Sequence, residues 1–213
     1  MINGIQLKIC GITRSVDAEA ATLIGADFLG FILYPKSPRF VSMAAFEDLK
    51  PRLPQSRKVA VMVRPTIDGL ATARDAGFDF FQLHFDPDDD QSLIETWGGI
   101  VAPDRLWLAP RLAPNQAFPD WLLPLADTFL IDTFRKDSFG GSGETGDWDR
   151  FRDLQAAHPG KNWVLAGGLV PDNIAEALVR TGAKTVDLSS GVERAPGVKD
   201  SKKLEALALA MRA

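Results

Sequence analysis

The stretch Asp17-Ala18-Glu19-Ala20-Ala21-Thr22-Leu23-Ile24-Gly25-Ala26-Asp27-Phe28-Leu29-Gly30-Phe31-Ile32-Leu33 decides the fold class. Its first half, Asp17 to Ile24, is rich in alanine, a strong helix former. Gly25 stops it, because glycine takes the left-handed conformation of a helix C-cap without steric cost. Asp27 to Leu33 follows as an almost unbroken apolar run, the pattern of a parallel strand covered on both faces. A helix that feeds such a strand through the short joint Gly25-Ala26 is half of a βα repeat. The joint recurs, since Gly77-Phe78-Asp79 and Gly182-Ala183-Lys184 echo Gly25-Ala26-Asp27, a weak internal periodicity of that unit.

Outward from this stretch, the strand candidates are Leu7–Ile12, Asp27–Leu33, Lys58–Val63, Phe78–His84, Arg105–Pro110, Thr128–Thr133, Trp163–Gly167 and Thr185–Ser189. The helix candidates are Asp17–Ile24, Thr66–Ala76, Asp172–Thr181 and Ser201–Arg212. Eight βα units in 213 residues come to about 27 residues each, compact for a parallel eight-stranded (β/α)8 barrel of the TIM type. The expectation is an α/β chain whose residues 1–213 form one such barrel domain. In the fifth unit, Ala113 to Leu125 carries Pro114, Pro119 and Pro124. Proline lacks the N–H and clashes with the preceding turn, so a short or broken fifth helix is expected. The alternative, an open doubly wound sheet, would carry Gly-x-Gly-x-x-Gly after its first strand, and the chain has none there. The acidic run Asp86-Pro87-Asp88-Asp89-Asp90 reads as a solvated helix start, where carboxylates satisfy exposed N–H groups.

Hydrophobic residues make up 46% and charged residues 24%, an ordinary globular balance in a chain long enough to bury a core without disulfides. The single cysteine fits a reducing compartment. Lys and Arg number 24 against 28 Asp and Glu, a net charge of −4, which argues against broad nucleic-acid binding but not against a small basic pocket. Met1-Ile2-Asn3-Gly4 shows no leader pattern, and no apolar run nears the ~20 residues that span a bilayer. A cytoplasmic protein without membrane or nucleic-acid partners is expected, with a monomer and a symmetric homodimer both open.

In a barrel of this type the C-terminal strand ends share one mouth, where active sites are assembled. Here those ends present Cys10, the loop Tyr34-Pro35-Lys36-Ser37-Pro38-Arg39-Phe40, Arg64, His84, Arg111, Asp132, Gly167-Gly168, and Asp187 through Gly191. Cys10 reads either as a buried inert thiol or as a base, and a base needs a lowered pKa, which cations such as Arg39 or Lys8 could assist. Asp132 reads as a cap, a salt-bridge partner, or a general acid whose pKa a partly dry pocket raises. Arg39 is a surface arginine or a two-pronged grip on a carboxylate. His84 is a satisfied structural histidine or a positioning group. Gly167-Gly168 and Ser190-Gly191 are plain turns or phosphate-binding tips, the latter being common after strands seven and eight. His84, His158 and Cys10 have no zinc-ligand spacing, so no metal is expected, and neither a Gly-x-Ser-x-Gly elbow nor a P-loop occurs.

Taken together the motifs resemble one family. They are Lys8-Ile9-Cys10-Gly11-Ile12-Thr13, Ser37-Pro38-Arg39-Phe40, Gln82-Leu83-His84, Leu130-Ile131-Asp132-Thr133, and Gly140-Gly141-Ser142-Gly143 leading to Asp147-Trp148. They continue with Leu165-Ala166-Gly167-Gly168-Leu169, Pro171-Asp172-Asn173, Val186-Asp187-Leu188-Ser189-Ser190-Gly191-Val192-Glu193 and Pro196-Gly197-Val198-Lys199-Asp200. In order and spacing they are similar to phosphoribosylanthranilate isomerase, an enzyme of tryptophan biosynthesis. The resemblance implies an eight-stranded barrel and an Amadori rearrangement, in which N-(5-phosphoribosyl)anthranilate becomes 1-(2-carboxyphenylamino)-1-deoxyribulose 5-phosphate. It implies Asp132 as the general acid that opens the furanose ring and Cys10, as thiolate, as the base that removes the C2 proton. It assigns the anthranilate carboxylate to Arg39, the phosphate to Gly167, Gly168, Ser190 and Gly191, and a place in the pocket to His84 and Asp187. It implies no cofactor, because the substrate's own imine is the electron sink.

The chain departs from the family pattern at three places: Phe85 stands where glycine usually follows Gln-Leu-His, Arg64 where asparagine is common, and Ser142 and Gly146 where threonine and phenylalanine are usual. Two rival readings are another phosphosugar isomerase or epimerase barrel and a non-catalytic phosphate-ligand binder. An epimerase calls for metal-binding His and Asp residues, and a binder has no use for a paired acid and base.

Overall fold

Eight short strands, each parallel to the next, close on themselves into a barrel in this computed structural model, which describes residues 1–113, 116–132 and 147–212. They are β1 (Gln6–Cys10), β2 (Phe28–Ile32), β3 (Arg57–Val63), β4 (Phe80–Phe85), β5 (Leu106–Pro110), β6 (Thr128–Ile131), β7 (Asn162–Leu165) and β8 (Thr185–Leu188). All eight expected strands are present with small shifts at their ends; Thr133, the expected end of the sixth, lies outside the described residues. Closure comes from β1 pairing on both sides, with Ile9 beside Leu29 of β2 and Lys8 beside Asp187 of β8.

The helices are α1 (Ser15–Leu23), α2 (Met43–Leu49), α3 (Ile67–Asp75), α4 (Gln91–Ile100), α5 (Trp148–Ala157), α6 (Ile174–Thr181) and α7 (Ser201–Arg212). Side chains of Ser42, Thr66, Asp90 and Asp147 accept backbone N–H bonds at the starts of α2 to α5, satisfying donors that a helix start leaves open. Among the described residues the fifth connection holds a 3-10 turn, Asp120–Leu125, with Pro124 inside it, as the prolines predict; Pro114 lies outside the described residues. Of the acidic run, Asp90 does cap α4, whereas Asp86 and Asp89 turn to ion pairs. After β8 the chain makes a 3-10 turn, Ser190–Val192, and an antiparallel ribbon of β9 (Glu193–Ala195) and β10 (Val198–Lys199).

Strand residues alternate between two buried sets, as the two-residue period requires. Leu7, Ile9, Leu29, Phe31 and Ala60 pack into the larger core between strands and helices. Cys10, Phe28, Val59, Val61, Trp107, Leu130, Val164 and Ala166 form a second cluster along the barrel axis. At the N-terminal end of that axis Phe28, Phe80 and Trp107 pack with centroids 5.0 to 5.7 Å apart, under the Arg57 guanidinium 4.2 Å over Phe28. The axis is thus plugged by aromatic rings below, and its polar residues gather above, at the strand tips.

Candidate active site

A cavity of about 680 Å³ opens at the C-terminal strand ends. Cys10, Arg39, His84, Asp132, Gly167, Gly168, Asp187, Ser190 and Gly191 all line it, so the residues singled out from sequence converge on one space. Pockets of this size suit a ligand of phosphosugar dimensions. Asp132 lies one residue beyond β6 and is half-buried.

Cys10 ends β1 and is buried. Burial pushes its thiol up; the ammonium groups of Lys8 and Lys199 oppose this and the Asp187 carboxylate reinforces it. Lys8 lies two residues back on the same face of β1, fully buried, and donates to Asp187 Oδ2 at 2.8 Å. Burial works against its charge, yet the facing Asp187 and Cys10 leave its pKa raised. Burial raises the Asp187 carboxyl against the pull of Lys8. Asp187 Oδ1 and Ser189 Oγ both belong to residues of the cavity wall, and both are buried without a hydrogen-bond partner among the described residues. Buried polar atoms of that kind call for a partner, and a ligand in the cavity would supply it.

Arg39 does not extend freely into the mouth. Its Nε donates to Glu193 Oε1 and Oε2 at 2.9 and 3.1 Å, and its Nη2 donates to Oε2 at 2.7 Å. This uses one edge of the guanidinium and leaves the Nη1 end, a second edge, unengaged among the described residues. Glu193 also accepts from Lys199 Nζ at 2.8 Å and from the Gly197 backbone at 3.2 Å. Burial disfavours its charge, but the hydrogen bonds of Arg39 and Lys199 hold its pKa below the ordinary carboxylate value. Lys199 Nζ further donates to the carbonyls of Cys10 at 2.5 Å and Ser189 at 3.2 Å. The ribbon β9–β10 therefore ties the Arg39 side chain, the Cys10 backbone and the β8 tip into one buried network. Glu193 and Lys199 fall within the family-like motifs, but the sequence points to no role for either. Their one signal is that both are charged residues in a short turn-rich segment.

The two glycine tips touch each other. A β-carbon on Gly191 would stand 2.0 Å from the Leu169 carbonyl oxygen, so the close approach of the two loops itself demands glycine there. His84 meets Gln82 at 2.7 Å, and burial, then the Lys8 charge, lowers its pKa to about 4, so the ring is neutral. On the far side of the mouth, Arg64 donates to Asp89 at 2.5 Å and to Asp86, and Arg111 pairs with Asp86 at 3.0 Å. Arg64 has φ 44°, a left-handed conformation that asparagine visits more readily than a long side chain. Ser142, Gly146 and the run Gly140-Gly141-Ser142-Gly143 lie outside the described residues.

Among the described residues no group of three or more His, Cys, Asp or Glu is arranged to hold a metal ion, and no helix is long and apolar enough to cross a membrane.

Comparison with known proteins points the same way. The profile of the N-(5'-phosphoribosyl)anthranilate (PRA) isomerase family matches residues 7–209. An N-(5'-phosphoribosyl)anthranilate isomerase of Synechococcus sp. is 36% identical over 212 residues, covering 96% of this chain and 94% of its own length. The crystal structure of phosphoribosyl anthranilate isomerase from Thermus thermophilus superposes with a TM-score of 0.82 at 33% identity, covering 97% of this chain and 98% of that one. A further structure of such an isomerase, holding reduced 1-(o-carboxyphenylamino)-1-deoxyribulose 5-phosphate, is similar at a TM-score of 0.78 and 27% identity, with 98% of both chains covered.

Proposed function

The chain belongs to the N-(5'-phosphoribosyl)anthranilate isomerase family, and from that premise we propose how its residues divide the work of the reaction. The enzyme is an isomerase of tryptophan biosynthesis that converts an aminoaldose phosphate into an aminoketose phosphate. The substrate has an anion at each end, so one mouth needs two anion grips with an acid and a base between them.

Asp132, as the protonated acid, gives its proton to the furanose ring oxygen. The C1–O bond breaks, the ring opens, and the anthranilate nitrogen becomes an imine that can accept electrons. Cys10, as thiolate, takes the proton from C2, and the C2–H electrons form the C1–C2 double bond of an enolamine. Protonation at C1 and loss of the O2 proton then give the ketone. Acid and base each contribute about 10²–10⁴-fold to the rate. Arg39 grips the anthranilate carboxylate with the edge that Glu193 leaves open, a charge-assisted two-pronged bond. The tips Gly167-Gly168 and Ser190-Gly191 offer backbone N–H groups to the phosphate. Asp187 and His84 line the space occupied by the sugar.

The convergence of Cys10, Asp132, Arg39 and both glycine tips on one cavity carries this reading. Its test follows the fluorescence of freshly prepared phosphoribosylanthranilate as it is consumed. Wild type turns it over, while Cys10→Ser and Asp132→Asn, checked for folding by circular dichroism, lose about 10²–10⁴-fold in kcat. Near-normal kcat in both variants would refute the assignment.

A further inference from the structure

We propose that Lys8 is the positioning residue that makes Cys10 ionisable, its ammonium being held beside the sulfur by Asp187. The inference rests on the reading of Cys10 as the base and adds the group that makes such a base workable in a buried place. Lys8 and Cys10 share one face of β1, and Gly30 of β2 is the strand neighbour of Cys10. A β-carbon on Gly30 would stand 3.0 Å from Lys8 Nζ and 2.9 Å from Cys10 Sγ. Nitrogen and sulfur therefore share the notch left by that glycine and lie within about 6 Å of each other, the range in which a charge moves a neighbour's pKa.

A lysine with 0% exposure inside a barrel is costly unless its charge has a use or a partner. Asp187 is the partner, at 2.8 Å, and it uses only Oδ2 for the purpose. The charged groups around Cys10 are Lys8 on its own strand, Asp187 on β8, Lys199 on β10 and Arg39 in the β2 loop, with His84 facing Lys8 from β4. Lys199 is committed to Glu193 and two carbonyls, and Arg39 to Glu193. Lys8 is thus the cation whose nitrogen shares a notch with the sulfur. Burial favours the neutral thiol, and the nearby ammonium offsets that penalty for the thiolate. The thiol proton leaves through the open mouth before turnover, and the thiolate regains a proton from C2 during it.

Cys10 is the sole cysteine in the chain, so thiolate ultraviolet absorbance, with Cys10→Ser as blank, reads this one group. Lys8→Met removes the charge at similar bulk and raises the titration midpoint by about one to three pH units. The acid limb of kcat/KM rises with it, and Lys8→Arg restores most of the wild-type profile. Asp187→Asn moves the thiol midpoint the opposite way, downward, because the carboxylate opposes the thiolate. A purely structural lysine would alter melting temperature in these variants without opposite shifts in titration. If Lys8→Met fails to fold, Asp187→Asn is compared with the Lys8→Met/Asp187→Asn pair, which leaves no buried carboxylate unpaired; the midpoint is higher in the pair. A midpoint that stays fixed when the Lys8 charge is removed would overturn the proposal even if Cys10 proves essential. Full turnover by Cys10→Ser would instead overturn the base reading, leaving the thiol titration to report on Lys8 independently.

Discussion

The two sides of the barrel mouth hold their charges in different ways. Around β1, β8 and the β9–β10 ribbon, the side chains of Lys8, Asp187, Glu193 and Lys199 are all at most 8% exposed, and Arg39 is 20% exposed. Around the tips of β3, β4 and β5, the Arg64 side chain is 46% exposed, Asp89 26% and Asp86 28%. Both sides pair opposite charges, but only the first does so out of water. A buried pair is sensitive to loss of either member, because the survivor is left charged in a poor solvent. An exposed pair is screened and worth little. The buried side holds Cys10 and Arg39, for which we propose the roles of base and carboxylate grip, both of which need fixed geometry. Two of the places where this chain departs from the family pattern, Arg64 and the buried Phe85, lie at the strand tips of the more exposed side.

Stability separates the two sides most sharply. Lys199→Met leaves Glu193 with one partner fewer and removes donors to the Cys10 and Ser189 carbonyls, so it costs about 3 kcal/mol of unfolding free energy. Asp89→Asn costs less than about 1 kcal/mol. Urea denaturation measures both, and similar losses on the two sides would erase the distinction. Ligand binding comes next. Arg39→Ala raises KM by about 10- to 100-fold, the worth of a hydrogen-bonded ionic grip, with kcat little changed. Glu193→Gln produces a smaller rise in KM, because the guanidinium keeps its charge but loses the partner that aims it. Steady-state kinetics with unchanged KM and kcat would remove Arg39 from the site.

The smallest effect tests His84, on β4. Its folded pKa is about 4, below the roughly 6.5 of an unfolded chain, so between these values the unfolded state binds the extra proton. Stability therefore falls as pH drops through that window. From pH 6.5 to 5.5 this one group accounts for about 1 kcal/mol. His84→Gln should flatten the wild-type slope of unfolding free energy against pH by that amount, whereas parallel slopes would show that the ring is charged in the fold.

The strands were legible because each is a compact apolar run closed by glycine, proline or a polar residue, the imprint of burial on both faces. Three helices leave only a weak trace in the sequence. Met43–Leu49 is short, and Trp148–Ala157 shows its buried face only through Trp148 and Phe151 among many charges; Gln91–Ile100 follows the acidic run, of which only Asp90 serves as its cap. The β9–β10 ribbon is too short to leave a periodic trace. That Cys10, Arg39 and Asp132 line one cavity could be read from sequence, because topology alone brings the strand tips and the loops that follow them together. The Arg39–Glu193 bond could not, since its members are 154 positions apart and meet only once β8 and the ribbon fold back over the mouth.

The division of labour between Asp132 and Cys10 is tested most directly by the isotope effect on kcat with substrate deuterated at C2. In Cys10→Ser, removal of the C2 proton becomes the slow step, and a large primary effect should appear. In Asp132→Asn, ring opening becomes slow, and the effect should fall close to unity. The opposite pattern, or equal effects in the two variants, would contradict the acid and base roles assigned to these residues.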